Sequence, residues 1–252
     1  PLPARDGFHL SRATIEAAVA AKPKAIIVNS ANNPTGAVYE PAILHELAAR
    51  CGKEGIWLLS DETYADLAFD GSHVTLAAPQ AGHVVAMSSF SKVLSVPGFR
   101  TGYALAHDAV IAKLALSNST LYSCLPGFTQ TGCVAGLSVL DAYADTVRTR
   151  NQRLITTCHQ RLTQGGLLHC QHPEAGFYLF VDIGSTGLDD MTFCRRLLEE
   201  QHTAVTPGRC FGDTFASHIR LALCGHEEDV LEGVSRTIAF AQKLGGCRVQ
   251  AA

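Results

Sequence analysis

The residues best suited to chemistry lie in one stretch, Ser88-Ser89-Phe90-Ser91-Lys92-Val93-Leu94-Ser95-Val96-Pro97-Gly98-Phe99-Arg100-Thr101-Gly102-Tyr103. It sets a single lysine among hydroxyls, with an arginine further on and glycines on either side of that arginine. Partial burial and neighbouring cations lower the pKa of such an amine, which is what a lysine needs in order to form a Schiff base with an aldehyde. Ser89, Ser91 and Arg100 offer hydroxyl and guanidinium donors of the kind that grip a phosphate. An aldehyde and a phosphate on one molecule point to pyridoxal phosphate. Taken alone, Ser-x-Ser-Lys is a weak motif, and a solvated loop lysine beside a surface arginine accounts for it equally well.

The surrounding elements must hold that lysine in place. An apolar run over 83–87 leads into the stretch as a buried strand, and 99–106 leaves it as another, so Lys92 is expected on the connecting loop. Upstream, a helix over 11–21 with Ser11 as a candidate N-cap precedes a buried strand at 24–29. The turn cluster Asn32-Asn33-Pro34-Thr35-Gly36 follows, then a helix over 41–53 and a second apolar strand at 56–59. That is a βαβ unit. Its strands are continuous apolar runs rather than alternating ones, the mark of a parallel sheet covered on both faces by helices. Ligands of such sheets bind beyond the carboxyl ends of the strands. Asn33-Pro34-Thr35-Gly36, Asp61-Glu62-Thr63-Tyr64 and Lys92 fall there, one after each strand. Asp61 can pair with a pyridine nitrogen and keep it protonated, while Asn33 and Tyr64 can donate to a phenolic oxygen. Each also has a plain structural reading, as a turn, an N-cap and a core tyrosine.

Composition narrows the classes. Hydrophobic residues make up 47% of the 252 and charged residues only 17%, against a usual charged share of about 25%, so part of the surface is expected to meet a partner. The net charge is −3 and no basic run is present, which argues against nucleic acid or an anionic membrane surface. Arg148, Arg150, Arg153 and Arg161 fall on a predicted helix as a solvated face. The nine cysteines contain no Cys-x-x-Cys pair, a pattern that fits free thiols in a reducing, cytoplasmic compartment. His169 and His172 lack a partner at ligand spacing, so no metal is expected. No apolar run has the length of a membrane span.

Beyond Pro126 a long, interrupted helical pattern runs past Arg153 and bridges to a smaller α+β unit. Its strands are expected at 176–183, near 204–205 and at 218–223, and its helices at 190–201 and 227–242. The fold class is therefore α/β: a three-layer arrangement with a mostly parallel sheet over 1–150, plus a smaller α+β carboxy-terminal domain over 151–252.

The motifs Asn33-Pro34-Thr35-Gly36, Asp61-x-x-Tyr64, Ser89-x-Ser91-Lys92, Gly98-x-Arg100-x-Gly102, Ala175-Gly176-Phe177-Tyr178, Pro207-Gly208-x-x-Phe211-Gly212 and His218-Ile219-Arg220-Leu221 together resemble a pyridoxal-phosphate-dependent aminotransferase of class I/II. This is the aspartate aminotransferase superfamily, fold type I, and the resemblance covers essentially the whole chain. It implies that Lys92 holds the cofactor as a Schiff base and then moves the substrate's α-proton. It implies further that Asp61 pairs with the pyridinium, that Asn33 and Tyr64 bind the phenolic oxygen, and that Ser89, Ser91 and Arg100 serve the phosphate. Arg220, with Asn33 beside it, would clamp the α-carboxylate of an amino acid or 2-oxo acid.

The family's amino-terminal part normally adds a glycine-rich phosphate loop and an aromatic side chain that stacks on the ring. Neither is found ahead of Pro1. The chain thus resembles an incomplete large domain with its small domain, and these 252 residues alone are expected not to be a competent transaminase. The resemblance implies a homodimer for the full-length protein. A lyase or synthase on the same fold, or the aminotransferase-like sensing domain of a transcription regulator, would share the lysine, aspartate and arginine.

Overall fold

The computed structural model describes residue 2 and residues 6–71, 73–77 and 81–249. Helix α1 (Arg12–Ala20) starts where the Ser11 side chain accepts from the Thr14 amide, and it buries Ile15 and Val19, one helical turn apart. Strand β1 (Ala25–Asn29), helix α2 (Pro41–Glu54) and strand β2 (Trp57–Asp61) complete the expected βαβ unit. Pro41 opens α2, where its missing N–H costs nothing, and Gly55 closes it at φ 67°. Leu44, Leu47 and Cys51 of α2 pack with α1 over Val28, Leu58 and Val84 of the sheet.

Strand β3 (Val84–Ser89) lies parallel to β2, and β4 (Gly102–Ala106) antiparallel to β3, giving the order β1-β2-β3-β4. The strand after the lysine therefore reverses direction. Between β3 and β4 the chain has no long crossover helix of the kind that a parallel return would need. Lys92 also differs from its expected place, since it sits on one turn of helix, α3 (Phe90–Val93), rather than on an open loop. The cause is local: the Ser89 hydroxyl caps that turn by accepting from the Ser91 amide at 3.1 Å.

Helices α4 (Asp108–Leu121), α5 (Gly127–Leu137) and α6 (Leu140–Thr163) follow. The break expected after Pro126 falls between α5 and α6, and α6 runs on without interruption past residue 150. Helix α4 was not expected, and none of its residues is buried. Leu116, Leu121, Tyr122, Phe128 and Val134 leave α4, α5 and the turn between them with an exposed apolar surface.

The second sheet is wholly antiparallel in the order β5-β6-β8-β7, from β5 (His169–Cys170), β6 (Tyr178–Asp182), β7 (Thr206–Pro207) and β8 (His218–Ala222). Helix α7 (Asp190–Gln201) is capped by Asp189, which accepts from the amides of Met191 and Thr192, and helix α8 (Glu227–Val249) reaches further than expected. Leu154, Ile155 and Cys158 of α6 join Leu179, Phe193, Ile219 and Phe240 in the core of this unit.

A short strap ahead of β6 is bonded to the segments that follow β1 and β2. The Glu174 amide donates to Gly36 O and the Gly176 amide to Leu67 O, while Glu174 O and Oε2 accept from the amides of Phe69 and Val38. Gly36 must be glycine here, because its φ is 72° and a Cβ would lie 2.5 Å from Pro173 Cβ. Among the described residues no helix is long and apolar enough to cross a membrane, and no cluster of three or more His, Cys, Asp or Glu is arranged for a metal.

Candidate active site

The parallel register brings the carboxyl ends of the first three strands into one row, Asn29 opposite Asp61 and Asp61 opposite Met87. Asn29 anchors that row: its Nδ2 donates to Asp61 O at 3.0 Å, and its Oδ1 accepts from the Asn33 amide at 2.8 Å. The turn beyond is held by Asn32, whose Oδ1 accepts from the Thr35 amide and hydroxyl. Asn33 is thereby fixed above the strand ends. Asp61 is the last residue of β2, and its Oδ1 accepts from the Thr63 amide and hydroxyl at 3.1 and 2.6 Å. This is the N-cap-like bonding that the sequence offered as its structural reading, and it leaves Oδ2 outside those two bonds.

Tyr64 is buried. Its hydroxyl lies 3.0 Å from that of Tyr178, on the first residue of β6. Burial pushes the Tyr64 phenol well above its ordinary range, so it stays protonated and available as a donor. Phe177 packs edge-on against Tyr64 and at 4.5 Å against Tyr178, and the Lys92 Nζ stands 5.9 Å from the Phe177 ring centroid.

Arg220 enters from the second sheet. Nη1 donates to Asn33 Oδ1 at 2.9 Å and Nη2 to Thr206 Oγ1 at 3.2 Å, while the guanidinium lies 4.3 Å from the Tyr178 ring centroid and 5.0 Å from that of Phe211. Its buried Nε has no hydrogen-bond partner. Among the described residues this guanidinium bonds only neutral oxygens, an arrangement that suits an incoming carboxylate.

The phosphate residues are less tightly gathered. Ser89 Oγ donates to Ser91 Oγ at 2.8 Å and shares Thr101 O at 3.3 Å, so the two hydroxyls form one cluster at the start of α3. Arg100 is exposed, with φ 53°, and donates to Pro97 O. Gly102 faces Ser89 across the β3–β4 ladder, where a Cβ would come within 2.6 Å of Ser88 O. Of the site residues expected from the sequence, Asn33, Asp61, Tyr64, Lys92 and Arg220 are linked into one chain of contacts through Asn29, Phe177 and Tyr178. The sequence gave no role to Asn29, Thr206, Phe177, Tyr178 or Phe211. The last three lay inside quoted motifs, whereas Asn29 was signalled only by being a polar residue at the end of an apolar strand.

A lysine on the turn beyond β3 and, on the second sheet, a half-buried guanidinium that bonds only neutral oxygens offer groups suited to an amine, a carboxylate and an anion. The family model for aminotransferase class I and II matches residues 1–238, and the chain belongs to that family, whose members generally depend on pyridoxal phosphate. The chain is 33% identical to the arginine–pyruvate transaminase AruH of Pseudomonas aeruginosa, over 98% of this chain and 64% of that one. It is 30% identical to an aspartate aminotransferase of Thermotoga maritima, over 92% and 60%. The solved aromatic aminotransferase of Pyrococcus horikoshii superposes with a TM-score of 0.89 at 26% identity, covering 96% of this chain and 66% of that one. The aspartate aminotransferase of Thermus thermophilus with maleate gives 0.87 at 28%, covering 94% and 62%. The chain spans less than two thirds of the length of each of these relatives.

Proposed function

We propose that this chain serves a pyridoxal-phosphate-dependent transaminase, moving an amino group between an amino acid and a 2-oxo acid. The observation that carries the reading is the half-buried Arg220 guanidinium, bonded only to neutral oxygens, with its Nε buried and unpartnered, and joined to the lysine's neighbourhood through Tyr178 and Phe177. The donor set also fits the cofactor. Lys92 offers an amine, Asp61 a carboxylate, Asn33 and Tyr64 two donors for a phenolic oxygen, and Ser89, Ser91 and Arg100 a set of phosphate ligands. When bound, pyridoxal phosphate supplies an aldehyde that can take up an amino group and a pyridinium that withdraws electrons from the α-carbon.

In this reading Lys92 Nζ would be the amine that anchors the cofactor and the base that takes the α-proton. Asp61 keeps the ring nitrogen protonated, and Arg220 orients the α-carboxylate so that the scissile C–H bond faces the amine. Residues 1–150 would form the cofactor-binding part of a large domain and 151–252 a small domain. The exposed apolar surface of α4 and α5 supports assembly as a homodimer, and the free thiols of the described cysteines support a cytoplasmic setting. Relatives named for transamination weigh against the lyase, synthase and sensor readings.

Borohydride reduction of the protein loaded with pyridoxal phosphate tests the assignment. Digestion should yield a pyridoxyl group on the Lys92 peptide, and Lys92→Ala should bind the cofactor weakly and transfer no amino group. A label on another lysine would refute the role of Lys92. Release of ammonia without any need for an oxo acid would replace transamination by elimination.

A further inference from the structure

Tyr178 touches both halves of the site and has no role in the function proposed above. Its hydroxyl is 3.0 Å from that of Tyr64, and its ring face lies 4.3 Å beneath the Arg220 guanidinium. The side chain is buried. A phenylalanine would fill the same volume without the cost of desolvating a hydroxyl, so the hydroxyl has a polar task.

That task follows from the protons available. Two phenols share one hydrogen bond, and either can donate. When Tyr178 donates to Tyr64 Oη, the Tyr64 hydrogen is freed to point elsewhere. A phenol that accepts one hydrogen bond is also a stronger donor in the next. The cation over the Tyr178 ring draws electron density from it, which favours Tyr178 as the donor of the pair.

We propose that Tyr178 is a positioning residue that couples the carboxylate clamp to the cofactor: its ring holds Arg220 in plane, and its hydroxyl sets Tyr64 to donate toward the cofactor's phenolic oxygen. This rests on the pyridoxal phosphate reading of the site. A carboxylate bound at Arg220 offsets the positive charge above the Tyr178 ring. Tyr178 then donates less strongly, Tyr64 follows, and the phenolic oxygen becomes more basic. Occupation of the clamp is thus reported to the ring without any side chain having to move.

The test is a spectrophotometric pH titration of the protein loaded with pyridoxal phosphate, with and without maleate as a non-reacting carboxylate probe. Tyr178→Phe keeps the ring and removes the hydroxyl. It should raise the pH midpoint of the bound cofactor's absorbance by about half a unit and shrink the further rise that maleate causes. Tyr178→Leu, lacking the ring, should also weaken maleate binding about tenfold. Tyr64→Phe provides the second route. It should abolish the same part of the maleate response, and adding Tyr178→Phe to it should change nothing more. A Tyr178→Phe protein that keeps both the wild-type midpoint and the wild-type maleate shift overturns the proposal, as does full additivity of the two substitutions. Failure of the wild-type protein to take up pyridoxal phosphate on Lys92 is a different result, and it overturns the functional reading itself.

Discussion

Arg220 shows how a single side chain can be costly to its fold and useful to its site. It lies on β8 between Ile219 and Leu221, both buried, and its Nε is buried without a partner. Arg220→Lys keeps the charge but loses the planar fork and much of the contact with the Tyr178 and Phe211 rings. In an assembled, cofactor-loaded protein it should lower kcat/KM for every α-amino acid by about 3 kcal/mol, roughly a hundredfold or more, with the cofactor absorbance unchanged. Unchanged kcat/KM would move the carboxylate clamp elsewhere. At this scale the sequence was informative wherever chemistry stood out against its surroundings, as an arginine does in an apolar strand. It was silent on Tyr178 and Thr206, because their roles come from partners 114 and 14 residues away, and strand alternation reveals a face but not what meets it.

The elements were legible where burial imposes a period. The α1, α2 and α7 patterns and the strands of the first sheet were recognisable, with boundaries off by up to three residues, because one face of each helix and of each parallel strand excludes water; the other face of β1 and β2, expected to be covered, is open at Ile27 and Trp57. Helix α4 was not recognised, and the reason is the same rule in reverse: with no residue buried, its sequence has no stripe to find. The turn after β2 carries a further test. Glu62 is buried, with Oε1 accepting from Ser60 Oγ and the Leu76 amide, both at 2.9 Å, and Oε2 3.7 Å from His73 Nε2. Burial pushes its pKa up, but the nearby His73 imidazole and the polar groups of Leu76, Thr75 and Ser60 outweigh that and hold it below its ordinary value. A depressed carboxylate stabilises the fold above its unfolded pKa, and that contribution is lost as pH falls through the folded value. Glu62→Gln should therefore cost about 1–2 kcal/mol near neutral pH. The difference from wild type should close as the solution is taken below about pH 4.5. Urea denaturation between pH 7 and 3.5 measures it, and a gap that stays constant with pH would show that Glu62 does not carry the linkage.

For the molecule as a whole, the low charge content was a fair guide to an exposed apolar surface, and α4 and α5 show where that surface lies. Leu116, Leu121 and Phe128 are 68%, 71% and 73% exposed and give α4, α5 and the turn between them an apolar face open to a partner. If this face belongs to the proposed dimer, Leu116→Ser with Leu121→Ser and Phe128→Ser should shift sedimentation toward the monomer. The far-ultraviolet circular dichroism should stay the same, since these side chains support nothing inside the chain. An unchanged sedimentation coefficient would remove this face from the assembly. What sequence could not convey at this scale is how the two sheets meet, since the strap of residues 173–176 pairs with segments more than a hundred residues upstream.

That strap also has a mechanical meaning. Residues 174 and 176 are bonded to the segments that follow β1 and β2, and Tyr178 starts β6 immediately afterwards. The strap is therefore a natural pivot, and under any rocking of the second sheet about it a residue would travel in proportion to its distance from that axis. β7 lies two strands from β6, or roughly 10 Å at the usual strand spacing. Tyr178, in contact with Tyr64, would scarcely stir, while Thr206 and the segment leading to Phe211 would sweep through a wider arc. The lever is thus shortest at the residue between clamp and ring, and longest where a pocket would need to open or close around substrates of different bulk.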